Sequence, residues 1–499
     1  MISKILKTPI YDIVRQTNLD LAPLLSKTYK NNIHFKREDQ QLVKSFKIRG
    51  AYQKICSLSS GKLNNGLIAA SAGNHAQGVA MSAKHLQCKA SIVMPTVTPS
   101  IKWKSVQNLD SNVILHGDNF DEAYKHAMYL ADKHNYTFIH PFDEDEVIAG
   151  QGTIGMEICN QWNFKNNNLD AIFIPIGGGG LISGIGLYIK HLYPDIKIIG
   201  VEPENANAMK QSLDSNKIVE LNKIDTFADG VAVRKVGYNT FNYCKEYVDE
   251  IIECSTDETC EAIQLIFEEC RTIMEPAGAL SLAGLIKYIN INKTFNQNYI
   301  SILSGANMNF TRLRYISERS NNTEILLAVS ISEKSGSLKN FCTILDSPDI
   351  TEFNYRYSDN ENAYIFVGIN TNNKNKLLQK LNDNGYNYKD FTDNDLAKTH
   401  IRYQVGGKTN NDFNEVIYRF DFPEKQGALL EFLTKLSNIS NNQWNITMFH
   451  YRNSGASIGN VLCGLNVPLK DMSIFQIFLN KLEFQYYDET NNNAYKIFC

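Results

Sequence analysis

The last third of this 499-residue chain is written twice, and that duplication limits its fold more than any single motif does. Leu326–Leu345 (LLAVSISEKSGSLKNFCTIL) and Ile417–Leu436 (IYRFDFPEKQGALLEFLTKL) share E-K-x-G-x-L-x-x-F, starting at Glu333 and Glu424. Ile350–Arg356 (ITEFNYR) recurs as Ile446–Arg452 (ITMFHYR), and Gly385–Asp390 (GYNYKD) recurs as Glu483–Asp488 (EFQYYD). Three blocks in one order, with offsets that drift by a few residues, make coincidence untenable. Each unit reads strand, glycine turn, helix, strand, strand, helix, strand, the order of a ferredoxin-like α+β domain. The expected bounds are 325–400 and 415–499. The join to the preceding part falls in the polar stretch Arg319–Glu324.

Ahead of that join, residues 1–320 follow a different rule. Leu67–Ala70, Ala90–Met94, Val113–Leu115, Thr137–Ile139, Ala171–Ile176 and Lys197–Val201 are short apolar runs bounded by turn residues, and they read as strands. Helical patterns such as Asn119–Asn135 separate them, with Ala123, Ala127, Leu130 and Ala131 on one face. Strand–helix alternation of this kind predicts an α/β domain, a parallel sheet covered by helices. Ligands of such sheets sit at the carboxyl ends of the strands. A net charge of −3 gives no reason to expect a nucleic-acid or anionic-membrane partner. No apolar run approaches the roughly 20 residues of a membrane span. The ten cysteines include no C-x-x-C pair, so neither a metal site nor a disulfide framework is expected. With no secretory leader at Met1–Leu6, a reducing cytoplasm is the expected compartment.

Four runs carry chemistry. Ala171–Leu181 (AIFIPIGGGGL) takes a buried strand through Gly177, Gly178, Gly179 and Gly180 into a helix. Four glycines exceed the need of a turn, and their N–H groups can converge on an anion beside the helix N-terminus. Neither a Walker lysine nor G-x-G-x-x-G spacing is present, so a single phosphate monoester is the natural guest. Ser71–Gly78 (SAGNHAQG) follows the strand Leu67–Ala70 and reads equally as a helix cap or as a nest for a second anion. His75 in that run has no assigned role. Lys47 lies among Phe46, Ile48, Ala51 and Tyr52, neighbours that could bury it and lower its basicity, although a lone lysine is more often solvated. Ser304 ends the apolar run Tyr299–Leu303 and is either a cap or a cofactor contact.

Taken together, KSFKIRGAY, SAGNHAQGVA, VIAGQGT, IGGGGLISG, FADGVAV, EPAGAL and LSGANMNF stand in the order of the fold type II family of pyridoxal-phosphate enzymes. With the duplicated C-terminus, the chain resembles the biosynthetic threonine dehydratases within that family. The resemblance implies that pyridoxal 5'-phosphate is carried covalently by Lys47, with Phe46 packed on its ring. It implies that Asn74 meets the ring's phenolic oxygen, that Gly177–Gly180 with Leu181 hold the phosphate, and that Ser304 meets the pyridine nitrogen. Ser71, Gly73 and Asn74 would receive the substrate carboxylate, while Glu275 and Gly230 lie near the ring without a defined role. Lys44 departs from the family's polar residue at its position. The implied reaction converts L-threonine, with L-serine as an alternative substrate, to the 2-oxoacid and ammonia. The duplicated region would be a pair of ACT-like regulatory domains responding to isoleucine, and oppositely to valine, in a homotetramer. Tyr355 and Tyr451 occupy equivalent repeat positions and are either effector-site residues or core aromatics. Two alternatives remain: another family member such as a serine dehydratase or cysteine synthase, and a sensor that kept the fold and lost the chemistry.

Overall fold

The computed structural model describes residues 1–320 and, beyond them, all but residues 321–323, 333–340, 342–343, 346–348, 356–361, 372, 404–413, 424–431, 433–434, 437, 441–443, 453–457, 483 and 499. The chain divides into two compact units, Met1–Ser320 and Asn321–Cys499. Among the described residues no helix is long and apolar enough to cross a membrane.

The first unit holds two sheets, the parallel-rich sheets that the family resemblance implies, where strand–helix alternation by itself reads as one. Strands β1 (Leu19–Leu21), β2 (Asn32–Arg37), β7 (Ala171–Pro175), β8 (Lys197–Pro203), β9 (Glu250–Cys254) and β10 (Asn298–Leu303) form one, in the order β1-β2-β10-β7-β8-β9. All its neighbours are parallel except β1, which pairs antiparallel with β2. Strands β3 (Leu67–Ala70), β4 (Ala90–Met94), β5 (Asn112–Leu115) and β6 (Thr137–Phe138) form the other, all parallel, in the order β5-β4-β3-β6. The alternation gave no sign of this division, because a strand's apolar pattern does not say which sheet it joins. The helix Asp145–Gln161 carries the chain from the small sheet to the large one. It packs between the helices Lys47–Cys56 and Gly180–Leu192 at near backbone contact. A Cβ on Gly150 would lie 2.5 Å from the Arg49 carbonyl oxygen, and one on Gly184 would lie 2.5 Å from that of Ile148. The expected helix over Asn119–Asn135 runs Phe120–His134, with Asn119 accepting from the Glu122 N–H and Asn135 left-handed at the other end.

The second unit repeats one sheet. Strands β11 (Glu324–Ser332), β12 (Asp349–Tyr355), β13 (Asn362–Asn370) and β14 (Tyr388–Asp390) lie in the order β12-β13-β11-β14. Strands β15 (Glu415–Pro423), β16 (Asn445–Arg452), β17 (Ile458–Asn466) and β18 (Gln485–Asp488) repeat that order. Every neighbour is antiparallel, as in a ferredoxin-like domain. The irregularities match as well, with a register shift between Ile350 and Glu352 in one copy and between Ile446 and Met448 in the other. Tyr355 pairs with Ile365 and Tyr451 with Val461, so the two tyrosines hold equivalent backbone positions. Their side chains lie outside the described residues, as do the E-K-x-G-x-L segments at 333–338 and 424–429. Phe341 and Phe432, which close the two copies of that motif, are both fully buried.

Candidate active site

Two segments distant in sequence fix the position of Lys47. Ser45 bridges Gly305, the Phe46 N–H donates to the Ser304 carbonyl at 3.1 Å, and the Ala306 N–H donates to the Lys44 carbonyl at 2.9 Å. The turn before Lys47 is thereby laced to the loop that follows β10, and Lys44 takes a left-handed φ of 58° to make the approach. Lys47 then opens the helix Lys47–Cys56. Its Nζ donates to the Pro141 carbonyl at 3.0 Å. Burial lowers its pKa to about 8, with the Glu275 charge opposing the shift. Two residues further on, Arg49 is locked by Glu38 at 2.7 Å and Glu157 at 2.6 Å, and Glu157 also binds Lys36 at 2.6 Å. All four of these side chains are buried.

The glycine run works through exclusion. β7 is buried along its length, and the helix Gly180–Leu192 that follows has Gly179 at its N-cap, φ 90°, with no side-chain cap. A Cβ on Gly178 would sit 2.3 Å from the Phe142 ring, and one on Gly177 would sit 2.9 Å from Val231 Cα. No side chain fits here, which leaves an uncapped helix N-terminus whose backbone N–H groups suit an anion.

On the small-sheet side, Asn74 starts the helix Asn74–His85. Its Nδ2 donates to Glu275 Oε1 at 2.5 Å and its Oδ1 accepts from Asn307 Nδ2 at 2.7 Å. An amide nitrogen has two hydrogens, so one is left for a ligand. Glu275 is raised to about 7 by burial first and by the Asp229 charge second, against the Asn74 hydrogen bond. His75 is packed as a neutral ring: its Nε2 meets the Ile139 carbonyl at 2.8 Å, and burial and Lys47 push its pKa down to about 3.

One pocket gathers Phe46, Lys47, Asn74, Gly177, Gly178, Gly179, Gly180, Leu181 and Ser304, along with Gly230 and Glu275. Ser71 and Gly73 do not line it. They form the half-buried turn just before Asn74, where the Gly73 N–H donates to Ser71 Oγ at 3.2 Å. Phe142, Pro175, Val231 and Ala277 also line the pocket and were missed in the sequence. Pro175, Val231 and Ala277 lie inside motifs already quoted but were given no role there, whereas Phe142 lies outside every motif and comes in only through the fold. Ser304 Oγ donates to the Ala277 carbonyl at 3.2 Å, and Ser45 Oγ is buried with no partner among the described residues.

Comparison with known proteins gives the same division. Residues 10–305 match the family described as pyridoxal-phosphate dependent enzyme. Residues 316–401 and 406–499 each match the C-terminal regulatory domain of threonine dehydratase. The biosynthetic L-threonine dehydratase IlvA of Pasteurella multocida is 47% identical over 99% of this chain and 96% of its own length. Among solved structures, the processed form of threonine deaminase isoform 2 from Solanum lycopersicum is 46% identical with a TM-score of 0.62, covering 64% of this chain and 92% of that one. Serine racemase from Dictyostelium discoideum is 32% identical with a TM-score of 0.58, covering 62% of this chain and 99% of its own.

Proposed function

The chain belongs to the biosynthetic threonine dehydratases, pyridoxal-phosphate enzymes with a duplicated regulatory region, and from that premise we propose how its residues divide the work. The pocket fits the cofactor: a buried amine of lowered basicity, an anion cradle made only of backbone, and polar groups at Asn74 and Ser304. Lys47 holds the cofactor covalently, Phe46 packs against it, and Gly177–Gly180 with Leu181 take its phosphate. Asn74 and Ser304 receive the polar atoms of its ring. When bound, the cofactor supplies the sink for the electron pair left at the substrate's Cα.

Everything else falls to the protein. Lys47 Nζ would stand beside the substrate's Cα and take its proton as general base. Its pKa near 8 leaves a useful fraction neutral at physiological pH. The Cα proton and the β-hydroxyl leave L-threonine together as the elements of water, and the released enamine tautomerises and takes up water to give 2-oxobutanoate and ammonia. Ser71, Gly73 and Asn74 receive the substrate carboxylate, at the start of a helix whose N-cap Gly73 has no side chain to cap it. A hydroxyl at Ser304, rather than a carboxylate, leaves the ring nitrogen without an anionic partner. That weakens the sink and favours prompt loss of the hydroxyl.

The regulatory region binds an amino-acid effector, which we take to be isoleucine, with valine acting oppositely, in a homotetramer. Tyr355 and Tyr451 are the residues we nominate for it, supported by their equivalent register. An effector acts only through unequal affinity for two states of the protein.

The observation that carries this reading is the convergence of Lys47, Asn74, the glycine run and Ser304 on one pocket. The experiment is threonine turnover with and without isoleucine. Threonine turnover that isoleucine suppresses is expected. Failure to release 2-oxobutanoate would sink the catalytic reading, and indifference to isoleucine would sink the regulatory one.

A further inference from the structure

The glycine cradle has a second layer behind it that no motif in the sequence marks. Next to it lies the helix Tyr238–Tyr247, whose N-cap is Gly237. No side chain could cap this helix from its own N-cap, because a Cβ on Gly237 would fall 2.1 Å from the Asp143 carboxyl carbon. Asp143 does the capping from a remote segment. Its Oδ2 accepts from the Tyr238 N–H at 2.9 Å, and its Oδ1 accepts from the N–H groups of Asn239 at 2.9 Å and Thr240 at 3.1 Å. The dipole of this helix is thus already satisfied by a protein carboxylate, while that of the neighbouring helix Gly180–Leu192 meets no side chain.

Thr240 links the two. It is fully buried, and its Oγ1 donates to the Gly178 carbonyl at 2.6 Å. In a trans peptide the carbonyl and the next N–H point in opposite directions. Anchoring the Gly178 oxygen on Thr240 therefore turns the Gly179 N–H away from Thr240. The segment that carries Asp143 has a fixed shape as well, since His140 Nδ1 accepts from the Phe142 N–H at 3.2 Å and the Asp143 N–H at 2.8 Å. Pro141 in the same segment receives Lys47 Nζ, and Phe142 covers the backs of Gly178 and Gly180.

We propose that Asp143 and Thr240 are positioning residues for the cofactor phosphate: Asp143 fixes the helix, and Thr240 on that helix sets the Gly178–Gly179 peptide so that its N–H faces the anion. This inference rests on the reading of Gly177–Gly180 as the phosphate cradle. Neither residue touches the cofactor or substrate, so activity alone cannot test their role.

The test compares the affinities of the full-length chain for pyridoxal phosphate and for pyridoxal, which lacks the phosphate, followed by visible absorbance. Thr240→Val keeps the shape and removes the hydroxyl. It should weaken pyridoxal phosphate about tenfold, the worth of one buried hydrogen bond, and leave pyridoxal within about twofold. Thr240→Ser should restore the wild-type ratio. Asp143→Asn, which retains an acceptor but not the charge, should lower the ratio about threefold, and it decides the matter if the valine variant does not fold. Equal loss for both ligands, or no loss for either, would overturn the positioning role. A wild-type chain that binds pyridoxal as tightly as its phosphate would overturn the cradle itself, and that result is distinguishable from the other two.

Discussion

The two units of this chain treat buried charge in opposite ways. Met1–Ser320 encloses Lys36, Glu38, Arg49 and Glu157 in one network of ion pairs away from solvent. Among the described residues of Asn321–Cys499, the buried polar side chains are Thr399, His400 and Ser440, the cores are aliphatic and aromatic, and the most enclosed ion pair, Arg402–Glu324, keeps some exposure. Burying a charge costs several kcal/mol unless its partners are well placed, and apolar packing of the same volume is often as stable. A network kept despite that cost fixes direction more than it adds stability. Arg49 stands two residues beyond Lys47 and ties the first turn of its helix to Glu38, just past the end of β2, and to Glu157 on the helix Asp145–Gln161. The regulatory unit orients no reacting group and can rely on apolar packing.

The sharpest break in the comparison is Lys47→Ala. It should lower 2-oxobutanoate formation at least about a thousandfold, since both the covalent anchor and the base are lost. Isoleucine binding, measured by calorimetry, should survive. Loss of both would mean that the units are not separable in function.

Ending the chain at Ser320 makes the converse cut. The racemase of similar fold matches a length of chain slightly shorter than this unit, 62% of this chain and 99% of its own. Turnover should persist within about threefold, by the small cost of removing an independently packed unit, while isoleucine should lose all effect on the rate. Continued inhibition of the shortened chain would place the effector site in the first unit.

A paired substitution tests the contrast in burial itself. Glu157→Gln leaves Arg49 and Lys36 undercompensated and should destabilise the first unit by about 3 kcal/mol. Phe475→Ala opens a cavity in the second unit and should cost about 3–4 kcal/mol. Calorimetric unfolding should show each loss in its own transition, and only Glu157→Gln should reduce kcat. An equal effect of the two on kcat would refute the claim that the network exists for orientation.

How much of this was legible in the sequence depends on whether the signal was local. The strands Leu67–Ala70 and Ala90–Met94 stand where their apolar runs predicted, because burial on both faces writes a continuous pattern. The duplication could be read because a repeat is its own control. The division of the strands into two sheets could not, since pairing partners leave no mark within a strand. Glu275 meets Asn74 across 201 residues, and Thr240 meets Gly178 across 62. Such contacts arise only once the sheets are assembled, so Asp143 and Thr240 read as ordinary loop and helix residues.

The basicity of Lys47 gives a smaller, graded effect. Capture of the cofactor needs the neutral amine, and burial brings the pKa from 10.5 to about 8. With the cofactor stripped from the full-length chain, the second-order rate of recapture should rise about tenfold per pH unit below 8 and level off above it. A rate that kept rising toward 10.5 would show that the lysine is solvated. No such dependence belongs to the second unit, whose cores hold no lysine among the described residues.

The last comparison lies inside the duplication and should move stability least. The copies repeat one sheet topology but fill the inner face of that sheet with different residues. Leu327 pairs across the sheet with Val367, whereas Tyr418, at the same register in the second copy, pairs with Cys463. Val329 faces Ile365 in one copy and Phe420 faces Val461 in the other. The second copy thus enlarges one strand and trims its neighbour, a volume-conserving exchange of the kind cores tolerate. Tyr418 adds a hydrogen bond from its hydroxyl to Asp488 at 3.2 Å and an edge contact with Phe475 at 5.2 Å. Tyr418→Leu should therefore cost about 2 kcal/mol in the second unit's unfolding transition. Adding Cys463→Val, which recreates the first copy's pair, should recover about 0.5–1 kcal/mol of it. If the double variant is no more stable than the single, the exchange is not compensatory, and the two cores have diverged independently around a common backbone.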